Sequence, residues 1–447
     1  MRVLLFHGYM LRGTGSNIYS ANLAAALARL GHEVHLVCQE RGVGIDGVEI
    51  HNPDIHGLLP VYVKDPYEGF EVKVFPELTD EELERYLDDN VAAVRDVAAS
   101  AGPPDAALAG HLVMGPCILA RAGIGGFAAK IHGSALEYTV KPHPRFIPYA
   151  EEGMAAASGV LSGSHHTALS LWEALPEVAG LREKTRLGPP GVDTERFRPR
   201  GDGRREPLVA FVGKLMISKG IDLLLAAWPL VLARFPEARL RVAGFGAYEG
   251  GVDRLLGALD RGDIDDAREV ARLGRGLEGG PEEPLKILSA FLAAPPPGYF
   301  EAARGMAASV ELVGRLEHDE VAAMLPEAEA LVMPSTFPEA FGMVAAEAAA
   351  CGALPVSAGH SGMLEVSRKL ASSLPPDASD LTSFAVEEGA VEAIAERLNR
   401  WLGLPAERRE VAREALVSTA HRLWSWEGVA RGVLAASRGA LDRLPDA

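Results

Sequence analysis

Short apolar runs alternate with amphipathic helical patterns along this chain, and the alternation starts twice. This order is typical of parallel α/β units, in which a helix follows each buried strand and crosses back over the sheet. The first series predicts a helix at Ile18–Leu30 and strands at Val3–Phe6, Val34–Val37, Ala106–Leu108, Ala128–Ile131 and Val160–Ser162. The second series predicts strands at Leu208–Val212, Leu240–Val242, Val310–Val313, Ala330–Met333 and Leu354–Val356.

The two series predict two α/β domains, which suits a chain of 447 residues. A charged, glycine-bearing segment at 196–206 reads as the linker, so that the first domain covers 1–200 and the second begins at 206. Residues 250–309 do not follow the strand–helix alternation, and we interpret them as a helical insertion, either a lid or a packing element. Parallel sheets of this kind bind ligands at the carboxyl ends of their strands.

Composition excludes several classes of protein. The formal net charge of −17 disfavours binding to nucleic acids or to anionic lipid surfaces. Three widely spaced cysteines form neither a disulfide framework nor a zinc motif, and they favour the cytoplasm. The amino-terminal apolar stretch is too short for a signal peptide, and no run is long enough for an integral membrane segment.

The segment 334–347 carries the strongest functional signal. It follows a predicted strand, turns, and opens a helix, whose free amide groups and positive dipole end suit a diphosphate. Gly342 allows the backbone to approach such a ligand closely. Glu347 lies in an otherwise apolar helix, where its carboxylate needs a partner such as the hydroxyl groups of a ribose. Glu339, just before the helix, is positioned to reach sugar hydroxyls.

A second signal is a pair of lysines, Lys214 and Lys219, in the turn after the first strand of the second domain. Fixed cations there could stabilise a departing diphosphate without a metal ion. The sequence contains no P-loop, and fixed cations of this kind can act without a metal ion, so we expect a site that uses no metal.

Two weaker signals lie in the first domain. His132 follows a predicted strand directly and precedes a glycine. The glycine loop 12–17 would on its own hint at dinucleotide binding, but Ile18 replaces the third glycine of that fingerprint.

Taken together, these segments resemble the retaining family 4 glycosyltransferases of the GT-B fold. Glu339 and Glu347 match the two glutamates of the family's Glu–seven residues–Glu motif. The resemblance implies two Rossmann-like domains facing across a cleft, with the nucleotide sugar held mainly by the second. It also implies that Glu339 contacts the donor sugar, that Glu347 holds the ribose, and that the backbone at Phe341, Gly342, Met343 and Val344 faces the sugar and phosphates.

The other motifs gain roles from the same resemblance. The family's glycine–basic…lysine–glycine motif matches Gly213, Lys214 and Lys219, although the family often has arginine where Lys214 stands. His132 would hydrogen-bond the transferred sugar. Arg315 and Leu316 would border the nucleobase, and the loop with Gly15, Ser16 and Asn17 would contact the acceptor and the phosphates. The segment at about 420–447 matches the family's closing helix, which returns to the first domain. The second domain would then cover 206–419.

The expected activity is retaining transfer of a hexosyl group from a nucleotide-diphosphate sugar to an acceptor hydroxyl of a small soluble molecule or glycan. The nucleotide sugar is a co-substrate, and no other cofactor is expected. Three alternatives remain open at this stage: a nucleotide-sugar epimerase, a sugar phosphorylase, or a non-catalytic protein that binds nucleotide sugars. The sugar, the base, the acceptor and the oligomeric state are not determined by the sequence.

Overall fold

The computed structural model describes residues 1–13, 15–64, 67–201 and 206–447. The chain divides into two compact units, one formed by 1–191 with 424–447 and the other by 192–423. The division lies ahead of the charged segment at 196–206, part of which (202–205) falls outside the described residues. Among the described helices, none is long and apolar enough to cross a membrane.

The first unit contains a seven-stranded parallel sheet and a separate pair of parallel strands. Its strands are β1 (Arg2–Phe6), β2 (Glu33–Val37), β3 (Val48–His51), β4 (Leu58–Val61), β5 (Glu71–Val74), β6 (Ala106–Gly110), β7 (Phe127–Ile131), β8 (Gly159–Ser162) and β9 (Thr185–Leu187). Its helices are α1 (Gly15–Arg29), α2 (Asp80–Ala101), α3 (Gly115–Arg121), α4 (Ile147–Ala156), α5 (His165–Ala174) and, from the C-terminal end of the chain, α17 (Trp426–Ser437). The large sheet has the order β3-β2-β1-β6-β7-β8-β9, and β4 pairs with β5.

Both faces of the large sheet are buried. Side chains alternate between the faces along a strand, so that Val3 and Leu5 of β1 join one core cluster while Leu4 and Phe6 join the other. Both faces of parallel sheets are covered by helices, which is why β1 is apolar from Val3 to Phe6. This is the physical basis of the short apolar runs in the sequence.

The C-terminal helix α17 is part of the first unit. The Trp426 ring lies 5.5 Å from the ring of Tyr19 on α1, and Arg29 at the end of α1 donates a hydrogen bond to Glu427 at 3.1 Å. A Cβ atom on Gly191 would lie 2.6 Å from Trp426, so glycine is required for this close approach. The last residues of the chain thus complete the fold of its first residues.

The second unit contains a six-stranded parallel sheet. Its strands are β10 (Leu208–Val212), β11 (Arg239–Ala243), β12 (Val310–Gly314), β13 (Ala330–Met333), β14 (Leu354–Ala358) and β15 (Ser383–Phe384). Its helices are α6 (Ile221–Leu232), α7 (Glu249–Arg261), α8 (Ile264–Leu273), α9 (Lys286–Ala293), α10 (Tyr299–Ala303), α11 (His318–Met324), α12 (Met343–Ala350), α13 (Ser361–Ala371), α14 (Pro376–Ser379), α15 (Ala390–Gly403) and α16 (Ala406–Leu423). The strand order β12-β11-β10-β13-β14-β15 is that of a doubly wound Rossmann-like sheet.

The segment 250–309 packs within the second unit, where it forms most of the connection between β11 and β12. Its helices bury apolar side chains, among them Leu255 and Leu288. Tyr299 donates a hydrogen bond to the carbonyl of Ala226 on α6 at 2.7 Å. The sequence left open whether this segment is a lid or a packing element, and these contacts favour a packing element.

The predicted α/β class is confirmed, and the predicted strands are all present with small shifts at their ends. The first helix begins at Gly15 rather than at the predicted Ile18. Sequence patterns missed five short strands, namely β3, β4, β5, β9 and β15. Several of them are half-exposed, as β3 and β5 are, and they carry little apolar periodicity.

Asp222, in the first turn of α6, carries a prediction about stability and pH. Its side chain is buried, and Oδ1 has no hydrogen-bond partner among the described residues. Burial raises the pKa of Asp222 to about 7. The unfolded chain releases this proton near pH 4, so the folded state holds one more proton between about pH 4 and pH 7, and stability falls as the pH rises through that window.

We therefore expect Asp222→Asn to stabilise the protein at pH 8 by up to about 4 kcal/mol and to change little at pH 4. Urea unfolding at the two pH values measures the difference. Asp253→Asn, which removes an exposed aspartate on α7, serves as the control and should be neutral at both. An equal gain from Asp222→Asn at pH 4 and pH 8 would contradict the assignment.

Candidate functional site

The sheet of the second unit reverses its winding at β10. This strand pairs in parallel with β11 on one side and with β13 on the other. Loops that leave the carboxyl ends of two such strands diverge, and doubly wound sheets bind their ligands in the crevice between them. The loops here are 213–220 after β10 and 334–342 after β13. They carry the two strongest motifs of the sequence.

The two loops are in direct contact. The amide of Thr336 donates a hydrogen bond to the carbonyl of Ser218 at 2.9 Å. Gly220 has a left-handed φ of 69°, and a Cβ atom there would lie 2.0 Å from the carbonyl oxygen of Pro334. Only glycine allows this approach, so the relative position of the two loops is set by backbone contacts.

Lys219 and Glu339 form an ion pair across these loops. The Lys219 ammonium donates a hydrogen bond to Glu339 Oε1, and Ser335 Oγ donates to the same oxygen at 3.0 Å. The amide of Glu339 donates to Ser361 Oγ at 2.9 Å. The side chains of the pair are 32% and 22% exposed, so a ligand can reach both. The arrangement offers a cation to an anionic group and a carboxylate to hydroxyl groups at one place.

Three glycine-bearing segments meet at the ring of Phe245. The Lys214 ammonium lies 5.9 Å from the ring centroid, and the Arg315 guanidinium carbon lies 5.1 Å from it. Arg315 also donates a hydrogen bond to Glu317 at 3.0 Å. The contacts bring the segments 213–214, 244–246 and 314–316 together, and they place two cations near the reversal of the sheet.

Helix α12 begins at the predicted turn. Gly342 has a left-handed φ of 99° and is followed by the first helical residue, Met343. Phe341 is buried, whereas Met343 and Val344 are partly exposed. The first amide groups of a helix have no partner within it, and together with the helix dipole they favour an anion. This end of α12 therefore suits a phosphate group.

Glu347 is buried on α12, and its partner in the structure is a protein side chain. His318 Nε2 donates a hydrogen bond to Glu347 Oε1 at 2.9 Å, and the ring of the buried Phe197 lies 4.8 Å from the His318 ring. Burial alone would lower the pKa of His318, but the hydrogen bond and the charge of Glu347 outweigh it and raise that pKa. The ribose contact of Glu347 remains a prediction, and the structure adds a histidine that orients the carboxylate.

In the first unit, three histidines lie together at the carboxyl ends of β1, β6 and β7. The ring of His111 lies 5.6 Å from that of His7 and 4.8 Å from that of His132. The Tyr19 ring lies 5.2 Å from the His132 ring. His132 Nε2 and both ring nitrogens of His111 are buried and have no hydrogen-bond partner among the described residues. Such atoms can bind the polar groups of a ligand.

Burial keeps these histidines neutral. It lowers the pKa of His7 to about 4 and lowers those of His111 and His132 well below the usual value. Lys130, on the strand that leads to His132, is also buried, which lowers its pKa to about 7. A neutral imidazole can both donate and accept a hydrogen bond, as contact with a sugar hydroxyl requires.

The predicted glycine loop in the first unit is partly helical. Gly15, Ser16 and Asn17 form the first turn of α1, and Thr14 lies outside the described residues. Asn17 is buried, with Oδ1 lying 2.9 Å from His7 Nε2 and Nδ2 donating to the carbonyl of Arg12. Asn17 thus holds His7 in place, whereas Gly15 and Ser16 are more exposed.

Sequence reasoning singled out His132 but missed His7 and His111. All three histidines directly follow an apolar strand, and this shared position was the signal that could have found the other two. His111 has in addition a left-handed φ of 68°, which residues other than glycine rarely adopt. Strained backbone of this kind is typical of functional sites.

Comparisons of the sequence with known proteins find similarity to glycosyltransferases. Residues 300–416 match the family described as "Glycosyl transferases group 1". D-inositol 3-phosphate glycosyltransferase of Geodermatophilus obscurus is 30% identical over 61% of this chain and 54% of its own length. The GDP-mannose-dependent monoacylated alpha-(1-6)-phosphatidylinositol monomannoside mannosyltransferase of Corynebacterium glutamicum is 27% identical over 54% and 52%. The chain thus spans about half the length of these two relatives.

Comparisons with solved structures cover the whole chain. Sucrose-phosphate synthase from Thermosynechococcus elongatus has a TM-score of 0.61 at 19% identity, over 99% of both chains. HepE of Anabaena, solved in complex with UDP and glucose, has a TM-score of 0.62 at 14% identity, over 99% of this chain and 100% of its own. At such identities the likeness concerns the fold.

Proposed function

We propose that this chain, which has the GT-B fold and carries a glycosyltransferase group 1 domain at residues 300–416, is a retaining glycosyltransferase. It transfers a hexosyl group from a nucleotide-diphosphate sugar to an acceptor hydroxyl. The observation that carries the proposal is the Lys219–Glu339 pair, which lies where the doubly wound sheet reverses and just ahead of helix α12.

The names of the similar proteins support this class of reaction. The relatives from Geodermatophilus and Corynebacterium are both named as glycosyltransferases, one acting on an inositol phosphate and the other using GDP-mannose. Inositol phosphates are therefore the first acceptors to test, since they are small, soluble and rich in hydroxyl groups. GDP-mannose is among the first donors.

The second unit supplies the groups that a nucleotide-diphosphate sugar needs. The diphosphate binds at the N-terminal end of α12, where the helix dipole is positive, and Lys219 and Lys214 add positive charge. Glu347, oriented by His318, accepts hydrogen bonds from the ribose. Glu339 accepts hydrogen bonds from hydroxyls of the sugar, and Arg315 and Leu316 border the base.

In the transfer step, the bond between the anomeric carbon and the diphosphate oxygen breaks while the acceptor oxygen bonds to the same face of that carbon. The configuration is therefore retained. The acceptor proton passes to the departing diphosphate, which is the base nearest to the attacking oxygen. Lys219, Lys214 and the end of α12 stabilise the negative charge that develops on the leaving group. No metal ion takes part in this scheme.

Within the first unit, His132 is proposed to bind a sugar hydroxyl, and Gly15, Ser16 and Asn17 to bind acceptor or phosphate groups. The neutral imidazole of His132 has a buried nitrogen able to bond a sugar hydroxyl. His111 packs against this ring and His7 packs against His111, so that the two position the ring of His132.

The first experiment is a thermal-shift screen against UDP-, GDP- and ADP-sugars, with and without EDTA, followed by turnover assays with inositol phosphates as acceptors. A ligand that binds only the folded state raises the midpoint by mass action. We expect a shift with one donor that EDTA does not reduce, and a glycosylated acceptor with retained configuration. Isomerised donor without acceptor, sugar 1-phosphate released from a glycan, or binding without turnover would instead indicate an epimerase, a phosphorylase or a binding protein.

The role of Glu347 gives a separate prediction. Because hydrogen bonds to a charged group contribute about 1.5–3 kcal/mol, we expect Glu347→Gln to weaken nucleotide binding by about 10- to 100-fold. Turnover at saturating donor should change much less. Titration calorimetry with the nucleotide measures the affinity.

Glu329→Gln is the matched control, since it removes an equally buried carboxylate that pairs with Arg413 in the same unit. It should lower stability and leave nucleotide affinity unchanged. If Glu347→Gln binds the nucleotide as tightly as the parent protein does, Glu347 does not hold the ribose.

A further inference from the structure

Three metal-ligating side chains share one face of the sheet at its outer edge in the first unit. In the register of β2 and β3, His35 is opposite Glu49, and Val37 is opposite His51. Residues two apart on a strand point to the same side, so His35, Glu49 and His51 converge. β3 is the last strand of the sheet and is only four residues long.

The distances among these groups suit a single metal ion. His35 Nδ1 lies 3.0 Å from His51 Nε2 and 3.5 Å from Glu49 Oε2, and His51 Nε2 lies 3.8 Å from Glu49 Oε1. A tetrahedral zinc ion with ligands at about 2.0–2.1 Å separates neighbouring ligand atoms by about 3.3 Å. These distances involve both carboxylate oxygens of Glu49. With one ligand atom taken from each residue, the three atoms all lie within 4.8 Å of one another, so small side-chain rotations bring them to three corners of a tetrahedron.

A carboxylate fixes the orientation of His35. His35 Nε2 lies 3.1 Å from Glu33 Oε1, to which it donates, and this leaves the Nδ1 lone pair directed at His51 and Glu49. Arg2 holds Glu33 with two hydrogen bonds, of 3.0 and 3.3 Å. A carboxylate on the far nitrogen is the usual support of a metal-binding histidine.

A cation can reach the side chains of His35, Glu49 and His51 from solvent. The His35 side chain is 4% exposed, that of His51 20% and that of Glu49 67%, so the cluster opens to solvent on the side of Glu49. The histidines of this cluster are different from those at the carboxyl ends of β1, β6 and β7.

We propose that His35, Glu49 and His51 bind one zinc ion, with water as the fourth ligand, and that the ion ties the edge strand β3 to β2. Two imidazoles and one carboxylate are ligands that zinc accepts readily. This site is separate from the proposed transfer reaction, which uses no metal. No sequence pattern indicated this site, because its ligands are spread over two strands and lack the close spacing of a zinc motif.

The test uses the full chain without an affinity tag, stripped with a chelator and dialysed. Zinc binding is measured by competition with a chromogenic chelator and by elemental analysis, and Co²⁺ serves as a spectroscopic probe. We expect one equivalent of zinc per chain, a raised unfolding midpoint, and visible absorption bands typical of four-coordinate Co²⁺.

Variants of the more exposed ligands keep the test independent of folding. His51→Ala and Glu49→Gln should abolish or strongly weaken the bound equivalent, and Glu33→Gln should weaken it by about 10- to 100-fold. His421→Ala, which removes an exposed histidine on α16, should bind zinc as the parent protein does. Circular dichroism checks that each variant is folded.

The proposal is overturned if the parent chain binds no equivalent of zinc, or if folded His51→Ala and Glu49→Gln bind it as tightly as the parent. None of these readouts depends on sugar transfer. A failure here is therefore distinguishable from a failure of the proposed enzyme activity, and donor binding should be the same in all four variants.

Discussion

Replacing Lys219 with methionine is expected to lower kcat by about 10²- to 10³-fold, the usual cost of removing one group that stabilises developing negative charge. The ammonium is held by Glu339 at the reversal of the sheet, near the N-terminal end of α12, where the diphosphate is expected to leave. Methionine keeps much of the length of the side chain and removes the charge. Initial rates at saturating donor and acceptor measure the loss.

Lys214→Met provides the comparison, because Lys214 is the second cation of this loop and lies over the ring of Phe245. We expect a smaller loss there, of about 10-fold, because the ion pair with Glu339 is formed by Lys219. Glu339→Gln should also reduce kcat, since the carboxylate orients both the lysine and the sugar. Equal rates for Lys219→Met and the parent enzyme would remove Lys219 from the mechanism.

Gly220→Ala is expected to cost about 3 kcal/mol of stability and to abolish donor binding in whatever protein remains folded. The backbone at Gly220 is left-handed, and the new Cβ atom would lie 2.0 Å from the carbonyl oxygen of Pro334. A carbonyl in a strand-end loop cannot swing aside as a flexible side chain can. The loop that carries Lys219 must therefore move away from the loop that carries Glu339.

Gly305→Ala separates the effect of the left-handed backbone from the effect of the clash with Pro334. Gly305 is also left-handed, with a φ of 77°, but a Cβ atom there meets nothing within 4 Å. It should cost about 1–2 kcal/mol from backbone strain alone and leave donor binding intact. Urea unfolding and nucleotide titration of the two variants give both quantities. A Gly220→Ala protein as stable as Gly305→Ala would mean that the loops are not held by this contact.

Most strands of the two large sheets could be predicted from the sequence, because buried parallel strands are apolar on both faces. Val3–Phe6 and Ala330–Met333 are such runs, and each needs only its own residues to be recognised. The short edge strands could not be found this way. β3 has the sequence Val-Glu-Ile-His, in which polar side chains alternate with apolar ones, and it becomes a strand only through pairing with β2.

Part of the candidate site could also be predicted, because some of its residues stand out within a short stretch of sequence. Glu347 was recognisable as a lone carboxylate in an alanine-rich helix, and the two lysines as cations after a strand. Their partners were not recognisable, because His318 is 29 residues from Glu347 and Lys219 is 120 residues from Glu339. Such pairs exist only once the strand order has been set.

By itself, then, the sequence determined the α/β class, the positions of the main strands and the segments in which polar chemistry is concentrated. These depend on periodicity and on turn residues, which act over a few residues of chain. Only the tertiary structure decided that β10 lies between β11 and β13, that three histidines from separate strands share one place, and that His35 meets His51. Contacts of this kind depend on which strands pair, and pairing is chosen by the packing of the whole core.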